Sequence, residues 1–199
     1  METMASPGRI PADRASAGPA ALAWRLDERL REAPLDAGAF AQAVDAKADE
    51  ISTARSQPAR LLAMLTEAAP LLRITGRLDE ARKTASAAIA LAELVEDESS
   101  VFVNQHALAQ AMQWQGHFEI STPLFDQLIS QARSIPMHAG HLHAVLFDAG
   151  RNLFDQKRYP EAARFFRESQ ALRRGEGLEA LLEFSAEAIR RTKQASGGV

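Results

Sequence analysis

The stretch AVLFDAGRNLFDQKRYPEAARFFRESQALRR, residues 144–174, is the most informative part of the chain, because it reads as two amphipathic helices joined by a short turn. Apolar residues recur every three or four positions on both sides of a polar turn at 155–158, as the buried face of a helix requires. Pro160 marks the first turn of the second helix, where its fixed φ and missing N–H cost nothing. A helical hairpin with one apolar face cannot bury that face alone, so the stretch predicts neighbours of the same kind.

Two earlier stretches repeat the pattern of this hairpin. Small residues stand at matching places in the three first helices, at intervals of 40 and 41 residues: Ala69, Ala109 and Gly150. A second small residue follows each of them 12 positions later, in the second helix of the same unit: Ala81, Ser121 and Ala162. Small side chains that face each other let two helices approach to the short end of the usual ~8–10 Å separation. The sequence therefore predicts three closely packed helical hairpins.

Helical periodicity continues on both sides of the three hairpins and brings the expected number of helices to about nine. Residues 20–33 read as an amphipathic helix, since Leu22, Leu26 and Leu30 recur every four positions. Pro70 should kink or break the helix that contains it, and Pro123 is tolerable only in a first turn. The predicted organisation is a disordered tail at 1–19, a helical domain at 20–194 and a disordered terminus at 195–199. Within that domain we expect a degenerate unit at 20–56, repeats at 57–97, 98–136 and 137–174, and a capping helix at 177–194.

Composition excludes several classes of protein. The chain has 199 residues, of which 46% are hydrophobic, enough for one domain with a substantial core, and no apolar run reaches the length of a membrane span. Its formal net charge of −3 argues against binding to nucleic acid or to an anionic membrane surface. Cysteine is absent, which excludes disulfides, thiolate nucleophiles and cysteine-ligated zinc. These observations predict a soluble, cytoplasmic protein.

The best-preserved unit resembles the tetratricopeptide repeat. Its Leu146, Ala149-Gly150, Leu153, Ala162 and Phe166 match the large, small and aromatic positions of the repeat signature, although the signature tryptophan and closing proline are missing. Units of 40–41 residues exceed the usual ~34 and are similar to the longer-helix variant found in kinesin light chains. The resemblance implies an all-α, right-handed superhelical solenoid of antiparallel helix hairpins.

The resemblance also implies where a partner binds, because the first helix of each hairpin lines the concave surface in this family. Carried onto this sequence, it gives a set of polar, partner-binding candidates: Arg73, His106, Gln110, Gln113, Asp148, Arg151 and Asp155. Their mixed charge and hydrogen-bonding capacity suit an extended peptide or a helix of another protein. Trp114 is a candidate aromatic lining for the same groove, or else a core residue.

No sequence motif indicates catalysis or a cofactor. Phosphate-binding loops, nucleophile elbows and metal-binding helix motifs are missing from the sequence. His138, His141 and His143 are close in sequence, but no nearby acidic residue or cysteine completes a tetrahedral site, so we predict no metal. The predicted function is a non-enzymatic adaptor for a protein or peptide. A self-associating homodimer module is the alternative, and a small-ligand sensor that uses His106 and the other histidines is a weaker one.

Overall fold

The structure is a computed structural model that describes residues 8–9, as backbone, and 22–197. The described residues form eight α-helices and one 3-10 helix, close to the predicted nine, and the all-α repeat architecture is confirmed. The α-helices are α1 Ala37–Thr53, α2 Pro58–Ile74, α3 Leu78–Leu94, α4 Glu98–Gln115, α5 Phe118–Ser134, α6 Leu142–Asp155, α7 Tyr159–Gly175 and α8 Glu179–Ala195, with the 3-10 helix at Pro136–His141. None of the described helices is long and apolar enough to span a bilayer.

The helix predicted over residues 20–33 is wrong, because this segment forms β-strands. Strand β2, Ala23–Leu26, pairs in antiparallel fashion with β3, Glu32–Pro34, and on its other side with the short β1, Gly8–Arg9. The remaining residues of the predicted tail at 1–19 lie outside the described residues. We call residues 22–35, which contain β2 and β3, the N-terminal hairpin.

A tight turn explains why this segment is not helical. The Asp27 carboxylate accepts hydrogen bonds from the backbone N–H groups of Arg29 and Arg31, both at 2.8 Å, and so closes the turn. Leu30 adopts the left-handed region with φ of 60° and is completely buried. Leu22, Trp24 and Leu26 also alternate with a period of two, which is the strand pattern that the four-residue spacing of the leucines concealed.

Three helical hairpins, α2/α3, α4/α5 and α6/α7, follow one another, with α1 packed on α2 and α8 packed on α7. The first helices α2, α4 and α6 contact one another in that order and form one row, as expected for stacked repeats. The N-terminal hairpin lies against the polar side of this row, which we call the first-helix face. It carries Arg73, His106, Gln110, Gln113, Asp148, Arg151 and Asp155.

The small residues of the repeat are buried between the helices, as the sequence predicts. Ala109 and Ser121 are fully buried, and Ala69 and Ala81 nearly so. At Gly150 an added Cβ atom would lie 2.6 Å from the ring of Phe166, which is itself completely buried. Glycine at this position therefore permits the close approach of α6 and α7.

Both prolines lie inside helices. Pro70 is in α2, which continues to Ile74, so Pro70 does not break that helix. Pro123 is the sixth residue of α5, beyond the first turn in which it was expected. In both helices the tertiary packing of the apolar face outweighs the loss of one intrahelical hydrogen bond.

Candidate functional site

All seven predicted partner-binding residues belong to α2, α4 or α6, and most of them contact either each other or the N-terminal hairpin. They do not line an open groove in the structure. Arg73 and Arg151, which bind Glu32 of the N-terminal hairpin, and Gln113, which binds Asp155, are at most 4% exposed. The first-helix face is therefore bound by a segment of the chain itself.

Glu32 is the centre of this contact. Its carboxylate accepts hydrogen bonds from Arg73, at 2.7 and 3.4 Å, and from Arg151, at 2.9 and 2.6 Å. Burial alone would raise the pKa of Glu32, but the charges and hydrogen bonds of Arg151 and Arg73 lower that pKa well below its ordinary value. Glu32 thus links α2 to α6 through β3.

Arg31, the residue before Glu32, binds a second pair of groups on the same face. Its guanidinium donates to the Asp155 carboxylate at 3.0 Å and lies 5.1 Å from the centre of the Trp114 ring. Gln113 donates to the same carboxylate oxygen at 3.2 Å. The Arg73 guanidinium lies over the Trp114 ring as well, 4.7 Å from its centre. The Trp114 ring is therefore in contact with two cations, which is a favourable arrangement for an aromatic ring.

Asp148 joins the remaining predicted residues. Its carboxylate accepts hydrogen bonds from Gln110, at 2.6 Å, and from Arg151, at 2.9 Å, and lies 2.9 Å from Nε2 of His106. Burial alone would raise the pKa of Asp148, but His106 and the charge of Arg151 lower it to about 2. Burial would lower the pKa of Arg151, and the two carboxylates Glu32 and Asp148 raise it instead. Glu32 and Asp148 are therefore anions and Arg151 is a cation at neutral pH.

Apolar contacts anchor the other end of the N-terminal hairpin. Trp24 stacks on Phe184 of α8 with ring centres 4.9 Å apart, and Leu26 and Leu30 are buried in a cluster with Phe147 and other residues. Arg191 of α8 donates a hydrogen bond to the backbone carbonyl of Asp27. The hairpin thus contacts α2, α4, α6 and α8.

Sequence reasoning missed Arg31, Glu32 and Phe184. A glutamate beside arginines is ordinary on an exposed helix, so Glu32 gave no signal while residues 20–33 were read as helical. Trp24 lies between Leu22 and Leu26 in the sequence, and its ring packs against Phe184 of α8.

The histidines do not assemble into a metal site. His138 stacks on Phe102 with ring centres 4.3 Å apart, and His141 lies tilted against the same ring at 5.5 Å. His143 lies beside Arg173 of α7. Burial lowers the pKa of both His141 and His143. Among the described residues, no group of three or more histidine, cysteine or carboxylate side chains is arranged to hold a metal ion.

The chain is similar in structure to several solved proteins, but the comparisons of its sequence give no match. No family model matches the chain, and no curated protein matches it. Two solved structures contain nearly identical TPR-like repeats assigned to a kinesin light chain of Podosopora anserina. One is 20% identical and the other, a point variant, 19%; each has a TM-score of 0.59 and covers 80% of both chains. BtubC (BKLC) from P. vanneervenii is 17% identical, with a TM-score of 0.64, and the match covers 81% of this chain and 68% of that one.

The chain has the fold of a tetratricopeptide-like solenoid. The predicted resemblance to the kinesin-light-chain type of repeat is thereby confirmed in the structure. At these identities the likeness concerns the fold, and the chemistry of the first-helix face has to be argued from its own residues.

Proposed function

We propose that this tetratricopeptide-like solenoid is a non-enzymatic protein-interaction scaffold that binds a peptide or protein segment on the first-helix face. The observation that carries the proposal is the N-terminal hairpin itself, a 14-residue segment bound on that face. The contact between the hairpin and the helices combines buried ion pairs, the aromatic ring of Trp114 and buried leucines, which are the elements of peptide recognition in proteins.

The repeat fold supports the same proposal. Solenoids present a long continuous surface built from equivalent helices, and such surfaces suit extended segments of other proteins. The proposed partner is a protein or peptide, with no role for nucleic acid or membrane, and the proposed location is the cytoplasm. Self-association and small-ligand sensing remain alternatives, and no contact described above favours either of them over peptide binding.

The experiment starts with the full-length chain immobilised and used to capture proteins from its native host. Captured proteins are identified by mass spectrometry, purified and titrated against the chain by calorimetry. Two variants change the first-helix face: Gln110→Lys places a cation on it, and Trp114→Ala removes its aromatic ring. Lys83→Glu, on an exposed position of α3, is the matched control.

We expect Gln110→Lys and Trp114→Ala each to lower the affinity for the partner at least tenfold, while Lys83→Glu leaves that affinity within twofold of wild type. Circular dichroism of each variant establishes that the helices are intact. Unchanged affinity in both face variants would mean that the partner binds elsewhere, and the proposal would be wrong.

A further inference from the structure

The first-helix face contains two adjoining subsites of opposite charge. One subsite, Arg73 and Arg151, binds a carboxylate, and the other, Asp155 and Trp114, binds a guanidinium. The side chains of Arg73, Arg151 and Asp155 are all at most 4% exposed, so water screens these charges weakly. Arg31 and Glu32, consecutive residues of the N-terminal hairpin, fill the two subsites, and the largely exposed Arg29 also lies 3.4 Å from the Asp155 carboxylate.

The backbone before this pair explains how consecutive residues reach both subsites. Successive side chains of an extended strand point to opposite sides, so two neighbours in a regular strand would not reach one face. Arg31 lies outside β3, directly after Leu30 with its left-handed φ, and its side chain turns toward Asp155 while Glu32 reaches the two arginines. A ligand for both subsites therefore needs its pair at the end of a tight turn.

The hairpin uses only part of the hydrogen-bonding capacity of this face. Nε of Arg73, Nε of Arg151 and Nε1 of Trp114 are buried and have no acceptor among the described residues. Buried donors without acceptors are costly, so a segment that brought additional oxygen atoms to them would be favoured over the hairpin.

We propose that the first-helix face selects partner segments by an adjacent arginine–glutamate pair at a turn, and that Arg31 and Glu32 occupy this site within the chain as competitors. The inference rests on the proposed function and narrows its partner class. The partner is a protein segment whose cation contacts Asp155 and Trp114 and whose carboxylate contacts Arg73 and Arg151.

Competition within one chain has a measurable consequence. A tethered segment acts at an effective concentration of roughly millimolar order, so it reduces the apparent affinity for any segment offered from outside. Weakening the hairpin should therefore strengthen binding of a separate peptide.

The test uses a fluorescein-labelled peptide with the sequence of residues 22–35, LAWRLDERLREAPL, and the full-length chain. Fluorescence anisotropy gives its affinity for the wild-type chain and for Glu32→Lys, whose lysine would face Arg73 and Arg151. We expect at least tenfold tighter binding to Glu32→Lys. Peptides that carry Arg31→Gln or Glu32→Gln should each bind the Glu32→Lys chain at least tenfold more weakly than the unchanged peptide does.

A peptide with Glu28→Gln is the matched control, because Glu28 is an exposed residue of the same turn and its change should leave the affinity within twofold. If circular dichroism shows that Glu32→Lys has lost its helices, the milder Glu32→Gln chain replaces it with the same expected order of affinities. Equal affinities of wild-type chain and variant would overturn the competition.

Two further outcomes separate this inference from the proposed function. If all peptides bind alike, the face binds segments without reading the pair, so the inference is wrong and the proposed function stands. If no peptide binds either chain, the inference is again wrong, and the proposed function is judged by the partner titrations with Gln110→Lys and Trp114→Ala.

Discussion

Replacing Glu32 by glutamine should destabilise the chain strongly. The change removes the one negative charge that contacts both Arg73 and Arg151, each at most 4% exposed. Hydrogen bonds to charged groups contribute about 1.5–3 kcal/mol each, and the cost of burying three charges offsets much of that gain. Removing one partner of such a buried ion pair typically costs about 3–5 kcal/mol. Because glutamine keeps part of the hydrogen bonding, we expect a loss near the lower limit, about 3 kcal/mol.

Urea denaturation followed by far-UV circular dichroism measures the free energy of unfolding of wild type, Glu32→Gln and Glu28→Gln. The exposed Glu28 should change it by less than about 0.5 kcal/mol. If the hairpin detaches before the helices unfold, the loss appears in hydrogen exchange, as reduced protection of the amides of residues 23–33 with α3 unchanged.

A double-mutant cycle with Arg73→Gln separates the ion pair from other effects of the substitutions. We expect a coupling free energy above about 1 kcal/mol between Glu32 and Arg73. A Glu32→Gln loss below about 1 kcal/mol, together with unchanged exchange of the hairpin amides and no coupling, would show that the buried ion pairs do not hold the hairpin in place.

The remaining predictions concern packing, turns and pH. Gly150→Ala should destabilise the protein by about 1–2 kcal/mol, because its Cβ would meet the Phe166 ring. Gly175→Ala, with no atom within 4 Å of the added carbon, should stabilise α7 by up to about 1 kcal/mol. Thermal unfolding of both variants checks these values. Lys157 adopts a φ of 61° at a helix end, so Lys157→Gly should stabilise by about 0.5–1 kcal/mol in urea, and any destabilisation contradicts it. The pKa of Asp148 is lowered from 3.8 to about 2, so its contribution, on the order of 2 kcal/mol, is present above about pH 4 and is lost as the pH falls toward 2. Urea midpoints measured from pH 7 to pH 2 test this, and a midpoint that rises on acidification would contradict it.

The repeat could be predicted from sequence because its signals are local. Small residues at 40- and 41-residue intervals and the 12-residue spacing within a unit follow from the geometry of packed helices, and the burial of Ala109, Ser121 and Ala162 agrees with them. Gly76 and Gly116, with φ of 80° and 84°, follow α2 and α4 in the left-handed conformation that glycine adopts readily at helix ends.

The N-terminal hairpin could not be predicted, because long-range contacts contribute to its structure. Leu22, Leu26 and Leu30 fit a helix as well as they fit a strand and turn, and contacts with Phe184 and Arg151, far away in sequence, act together with the local turn at Asp27 to favour the strands. The seven polar candidates were placed on the correct helices from the repeat register. Their burial under the hairpin depends on the same long-range contacts, and local propensity gives no sign of it.

The proposals above depend on the N-terminal hairpin binding the first-helix face and α8 in the full-length chain. Nuclear Overhauser effects between the Trp24 indole and the Phe184 ring test this contact, because these rings are far apart in sequence and their centres are 4.9 Å apart. We expect strong cross-peaks between the two rings and slow exchange of the amides of residues 23–33. If the spectrum lacks the cross-peaks and those amides exchange at the rate of an unfolded peptide, the hairpin is not bound to the helices.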